Sequence, residues 1–420
     1  MADQRRVIIR NASVLDPAAG EVRPDQVIII EGDDIVDVSP ASGTARGTGA
    51  GTSVDARRID ARGRVVMPGL IDGHVHVLAY TANLPAAAEQ SPYYVAARAS
   101  GILRGMLDRG FTTVRDAAGA DYGLADAVRE GYFVGPRVQF GGKALSQTGG
   151  HGDGRQRGRE VHDDAYCAPT HCRLADGVDE VRRAVRDEIR KGAEHIKLML
   201  GGGVASPTDR IDSTQFSVEE IRAAVEEAEA ANRYVLGHAY TSRAVNRGLA
   251  AGVRSIEHGN LMDESSIPLF LEHDAFYVPT LATYSALADE GPAAGLPPES
   301  FRKVFGVLDA GLHALELAHR GGVKIVYGTD LLGDMHYRQL TEFTLRAQVQ
   351  PAADIVRSAT TTAAELLGLA GRIGTVAPGA SADLLVVDGN PLEDVAVLTK
   401  PADALRLIMH RGRVHKNTLD

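Results

Sequence analysis

Two cysteines, Cys167 and Cys172, are all that the chain holds, which excludes a disulfide framework and makes a reducing cytoplasm the expected compartment. Basic clusters are equally scarce. Against 45 Lys and Arg stand 55 Asp and Glu, a formal charge of -10, and no Lys/Arg stripe is available to neutralise phosphates, so nucleic acid is not expected as a partner. The opening MADQRRVIIR passes from two arginines directly into strand alternation, without the apolar stretch or small-residue cleavage site of a secretory signal. No apolar run has the length of a membrane span, so no membrane association is expected either. What is present, 44% hydrophobic residues in 420, suffices for one large core and a smaller accessory one in a soluble protein.

The cysteines bracket Ala-Pro-Thr-His171 and, with His162, form a fragment of a zinc knuckle. Structural zinc sites need four well-spaced ligands, and no second cysteine pair exists, so this segment reads as a loop insertion with incidental cysteines.

Residues 7–66 alternate in short runs, VIIRNASVLD, QVIIIEGDDIVDVSP and SVDARRIDARGRVV, separated by turn signals as in an antiparallel unit. Matching runs return near the end, GASADLLVVDGN and ALRLIMHRGRVHK. The simplest account is a β-sandwich built from both termini, residues 1–66 and 375–420. Between them, over 67–374, strands alternate with amphipathic helices such as VDEVRRAVRDEIRKG and VEEIRAAVEEAEAAN. Eight strands are predicted: LIDGHVH, FTTVRD, PRVQFGG, HIKLML, YVLGHA, VRSIEH, AFYVPT and VKIVYGTD. That is the count of a closed (β/α)8 TIM barrel, an α/β fold whose active site lies at the C-terminal ends of the strands. The stretch 141–175 shows no helical or strand period and reads as a long loop over that site, and 284–300 as a wall or an oligomer contact.

Six side chains able to bind metal fall at or near those strand ends: His74, His76, Lys197, His238, His258 and Asp330. In His74-Val75-His76 the strand period of two points both imidazoles to one face, and the adjacent Gly73 allows close backbone approach. Lys197 discriminates most. On one strand alone a lysine between apolar residues reads as a rim residue reaching for water. Near a cationic site its amine, held neutral by burial, can instead take up carbon dioxide and become a carbamate, whose two oxygens can bridge two metals. His195, a layer below Lys197, reads as a core histidine. Asp330 could touch a metal and accept a proton, or simply cap the next turn. Tyr240, two residues after His238 and on the same face, and His151, in the glycine-rich loop, could read a substrate carboxylate. Arg210 could add charge there.

Together these residues, with the segments LSQTGGH, GGVASPTD, LGHAYT, IEHGNL and GTDLLGD, resemble the amidohydrolase superfamily. Within it they are similar to prolidase-like and arginine/lysine carboxypeptidase-like dipeptidases and to ochratoxin-hydrolysing amidases. The resemblance implies two divalent metal ions, zinc by type, with His74, His76 and Asp330 on the more buried ion and His238 and His258 on the second. Carbamylated Lys197 would bridge them. It further implies hydrolysis of an amide bond beside a free-carboxylate residue by a metal-bridging hydroxide, with Asp330 carrying the proton, on a dipeptide or other small-molecule substrate in a homo-oligomer. The competing expectation is a cyclic amide or imidazolone hydrolase, or a deaminase, on the same barrel. Lys197 argues against it, and the full ligand set argues against a non-catalytic scaffold.

Overall fold

The computed structural model describes residues 6–42, 56–155, 158, 170–206 and 208–419. Contacts divide the chain into two units. The first comprises Met1–Ile71, Met106–Thr113 and Gln350–Asp420, the second Asp72–Gly105 and Val114–Val349.

In the first unit the two ends of the chain share one eight-stranded sheet. Its order runs Arg413–Asn417, Leu405–His410, Leu384–Val387, Val65–Pro68, Arg6–Asp16, Glu21–Glu31 and Asp34–Pro40, with Arg57–Asp60 also paired to Arg6–Asp16. The junction is antiparallel, with Val386 opposite Val66. Ile9, Val14, Ile28, Ile30, Leu384 and Leu407 close over its buried face, which is why these strands read as apolar alternation in sequence.

The second unit alternates strand and helix. Its larger sheet has seven strands paired parallel throughout, in the order Cys172–Leu174, Ala144–Ser146, Ile196–Met199, Val235–Thr241, Ser255–Leu261, Phe276–Val278 and Lys324–Ile325. The chain's third sheet has three strands, Leu70–Val75, Phe111–Asp116 and Arg137–Phe140, of which residues 72–75, 114–116 and 137–140 belong to this unit. All eight expected strands are therefore present in chain order. Backbone bonds join members of the two sheets: Gly73 N donates to Tyr327 O at 2.7 Å, and Asp330 N to His74 O at 2.8 Å. Gly73 is required there, since a Cβ would sit 2.7 Å from Val326 Cγ1.

The connecting helices carry their own start signals. Ser217 and Glu220 form a reciprocal capping box at the head of Val218–Ala230. One expectation is corrected: the stretch 141–175 is not structureless, because Ala144–Ser146 and Cys172–Leu174 pair in parallel. Three-residue strands are too short to express a period, so pattern reading passes over them.

Candidate metal centre and substrate cavity

Parallel pairing sets Met199 opposite His238 and Ala239 opposite His258, so the strands that carry Lys197, His238 and His258 are direct neighbours. The turn after Lys324–Ile325 then returns Asp330 to His74. Asp330 Oδ1 lies 3.2 Å from His76 Nε2 and 3.5 Å from His74 Nε2, while Oδ2 lies 3.8 Å from His258 Nδ1. Lys197 Nζ is 3.5 Å from His74 Nε2, and the His238 and His258 rings are 4.5 Å apart. All six expected residues thus converge on one point.

Hydrogen bonding places hydrogens on three of the rings. Nδ1 of His74 faces Glu257 Oε2 at 2.6 Å, Nδ1 of His76 faces the Ala118 carbonyl at 3.0 Å, and Nε2 of His238 faces the Gly202 carbonyl at 3.1 Å. A carboxylate or carbonyl can only accept, so these nitrogens carry hydrogens, and in neutral His74 and His238 the opposite nitrogens are bare lone pairs. Burial holds His74, His238 and His258 well below the usual histidine range. On His76 burial also acts downward, but the Asp330 carboxylate beside it outweighs burial and raises it. Imidazoles around a carboxylate are the donor set of a borderline divalent cation. Among the described residues, donors of His74, His258 and Asp330 lie within 4.8 Å of one another, close enough to share an ion.

Backbone strain marks the same place. His258 (φ 74°), Thr280 (φ 49°) and Asp330 (φ 53°) all adopt left-handed conformations, which cost about 1–3 kcal/mol each for ordinary residues and persist at sites whose surroundings over-determine them. The Thr280 hydroxyl lies 2.8 Å from His258 Nδ1.

Beneath the cluster is a buried ionic network absent from the sequence-based expectations. Arg115 donates to both oxygens of Glu257 at 2.9 Å, Ser255 donates to Glu257 Oε1 at 2.6 Å, and Glu257 orients His74. The signal was there: a glutamate and an arginine on apolar strands, Glu257 one residue before His258 and so on the opposite face. Glu257→Gln is expected to leave the Arg115 charge unpaired and to lower folding stability by about 3–5 kcal/mol. A denaturant midpoint unchanged from wild type would remove the network from the fold's support.

Above the cluster opens a cavity of about 1080 Å³, which His151, Lys197, His238, Tyr240 and Asp330 help to line. The Tyr240 oxygen accepts from Tyr284 Oη at 2.9 Å. Because it accepts from Tyr284, its own hydrogen is left to donate. His151 stacks on His238 with ring centres 4.2 Å apart. Its Nδ1 is 3.0 Å from Ser206 Oγ, whose hydroxyl contacts Asp209 Oδ1. Because Asp209 can only accept, Ser206 donates to it and accepts from His151, so neutral His151 presents a bare Nε2. In this arrangement the wall has a donor in Tyr240 and an acceptor in neutral His151.

The remaining expectations divide. Helix Leu281–Glu290 and the turn after it contribute Tyr284, Leu287 and Leu296 to the cavity, so the 284–300 stretch is a wall of the site. Arg210 is exposed and paired with Asp212 at 2.8 Å, away from the cavity lining. His195 is buried and bonded to the Asp116 carbonyl, a core residue as expected. Burial raises the Cys172 thiol to about 12, leaving it a poor nucleophile, whereas Cys167 and His162 lie outside the described residues. No helix among the described residues is long and apolar enough to cross a membrane.

Comparison with known proteins fits this geometry. The sequence profile of the Amidohydrolase family matches residues 65–414. The ochratoxinase of Aspergillus niger is 33% identical, over 99% of this chain and 88% of its own length. Among solved structures, a prolidase complexed with N-methylphosphonate-L-proline is 48% identical with a TM-score of 0.93, covering 98% of this chain and 100% of that one. An amidohydrolase at 46% identity has a TM-score of 0.94, with coverage of 99% and 100%.

Proposed function

The chain belongs to the amidohydrolase family, and on that premise we propose that it cleaves the amide bond beside a residue with a free carboxylate. The substrate class is an Xaa-Pro or other dipeptide, or an N-acyl amino acid including ochratoxin-like amides. The prolidase and ochratoxinase relatives support that class. The observation that carries it is the Tyr240 hydroxyl, which accepts from Tyr284 and keeps its own hydrogen to donate, on the wall of the cavity that also holds the His/Asp cluster.

His74, His76 and Asp330 would hold one ion and His238 and His258 a second, with Lys197 bridging as its carbamate. Imidazole and carboxylate donors suit zinc. When bound, two such ions supply Lewis acidity, polarising the scissile carbonyl and acidifying the water that attacks it. Asp330 takes the proton of that water and returns it to the leaving nitrogen. Tyr240 donates to the substrate's carboxylate, while Leu84, Leu287 and Leu296 give its side chain or acyl group an apolar surface. We read the eight strands as a closed (β/α)8 barrel over 67–374, supported by the Gly73–Tyr327 bond between its first and last members, and residues 1–66 with 375–420 as a β-sandwich.

Amidation of the substrate carboxylate tests the reading. An amide leaves Tyr240 facing a poorer acceptor in a partly dry cavity, at roughly 1–3 kcal/mol per lost partner. We expect kcat/KM for an Xaa-Pro or N-acyl-phenylalanine acid to exceed that for its C-terminal amide by about tenfold to several-hundredfold, and the ratio to shrink in Tyr240→Phe. Equal rates on acid and amide would send the assignment to other amide or lactam substrates.

A further inference from the structure

Helix Pro298–Arg320 directs the Lys303 ammonium into a cage of main-chain oxygens. Nζ lies 3.0 Å from Gly203 O, 2.9 Å from Ser206 O and 2.8 Å from Asp209 O, and 3.4 Å from Asp209 Oδ1. An ammonium has three hydrogens, and three carbonyls take them. Without a cation, those carbonyl dipoles would converge on one another at a partly buried point, so the placement of Gly203, Ser206 and Asp209 depends on Lys303 being there.

The loop in turn holds His151. Asp209 Oδ2 accepts from Gly203 N at 3.1 Å and from Gln215 Nε2 at 2.9 Å, and Gln215 Oε1 accepts the His151 N–H at 2.8 Å. Ser206, fixed by Asp209, receives the ring's Nδ1. Gly203 completes the seat: a Cβ there would lie 2.0 Å from His151 Cε1, so the ring packs directly on loop backbone. The chain of contacts runs from Lys303 through Asp209 and Ser206 to His151, and His151 reaches the cavity.

We propose that Lys303 is a positioning residue for the hydrolysis, acting through Gly203, Ser206 and Asp209 to set the orientation and hydrogen-bonding polarity of His151 against the substrate. The proposal rests on the reading of this cavity as the substrate site. Lys303 itself touches no reacting atom, so its effect must vanish when His151 is removed.

A double-mutant cycle on metal-replete enzyme tests this, with kcat/KM measured for wild type, Lys303→Met, His151→Ala and the pair, and metal content followed in each. We expect each single variant to lose about tenfold or more in kcat/KM with its metal retained, and the double variant to be no worse than His151→Ala. Asp209→Asn, which leaves the ammonium and its cage of carbonyls in place, is a second arm of the cycle should Lys303→Met fold poorly, and the same coupling to His151 is expected. Losses that multiply in the double variants would overturn the positioning role while leaving the cavity's function intact. Wild-type kcat/KM in His151→Ala would overturn both the substrate role of His151 and the proposal built on it.

Discussion

Lys197→Ala is expected to lose most of its bound metal and about a thousandfold of its activity, equivalent to about 4 kcal/mol of transition-state stabilisation. Lys197 is buried, and among the described residues its ammonium has no ion pair with a carboxylate; the group within reach is the His74 imidazole at 3.5 Å. An ammonium so placed is unstable, and burial lowers its pKa, with Glu257 and Asp330 opposing at longer range. The neutral amine is the form that adds carbon dioxide. The proposed carbamate restores a negative charge at the point where two cations would meet, so removing the amine removes the bridge and both ions loosen. Elemental analysis of wild type should find close to two divalent metals per chain, and reconstitution should depend on bicarbonate. Lys400→Ala, at an exposed position, should keep both metals and full rate. Wild-type metal content and rate in Lys197→Ala would end the bridging hypothesis, and one tightly bound metal in wild type after growth with zinc and bicarbonate would end the binuclear one.

The parts legible in the sequence are those governed by short periods. His74 and His76 share a face because strands alternate. His238 and His258 meet because consecutive parallel strands pair side by side, with Ala239 opposite His258. Gly73 announced a close approach, and Val326 supplies it. What escaped was set by contacts between distant residues. Glu257 and Arg115 are 142 positions apart, and a single sequence does not say which buried charge answers which. Lys303 reads as one more exposed position of a 23-residue helix until the loop carbonyls are seen around it. The polarity of His151 is hidden for a related reason: residue type says that an imidazole can donate or accept, and its partners Ser206 and Asp209 bias the choice. Three-residue strands such as Ala144–Ser146 hold too little sequence to carry a pattern of their own.

Asp330→Asn is expected to lower kcat by on the order of a hundredfold or more with the fold preserved, because it takes away a proton acceptor and an anionic donor together. Asn suits the backbone there, since Asp330 has φ 53° and asparagine is among the few residues that tolerate the left-handed region, so the substitution isolates the carboxylate from the turn that carries it. Burial by itself would raise the Asp330 pKa. The neighbouring His74, His76 and Lys197 more than reverse this and hold it below the usual carboxylate range. The group is therefore ionised at neutral pH and able to receive a proton in passing, and an amide oxygen in its place is neither anionic nor basic. Circular dichroism on the preparation used for kinetics should superimpose on wild type, and kcat should fall while KM moves little, as for an interaction made chiefly in the transition state. Full activity in Asp330→Asn would assign the proton to another base in the cavity.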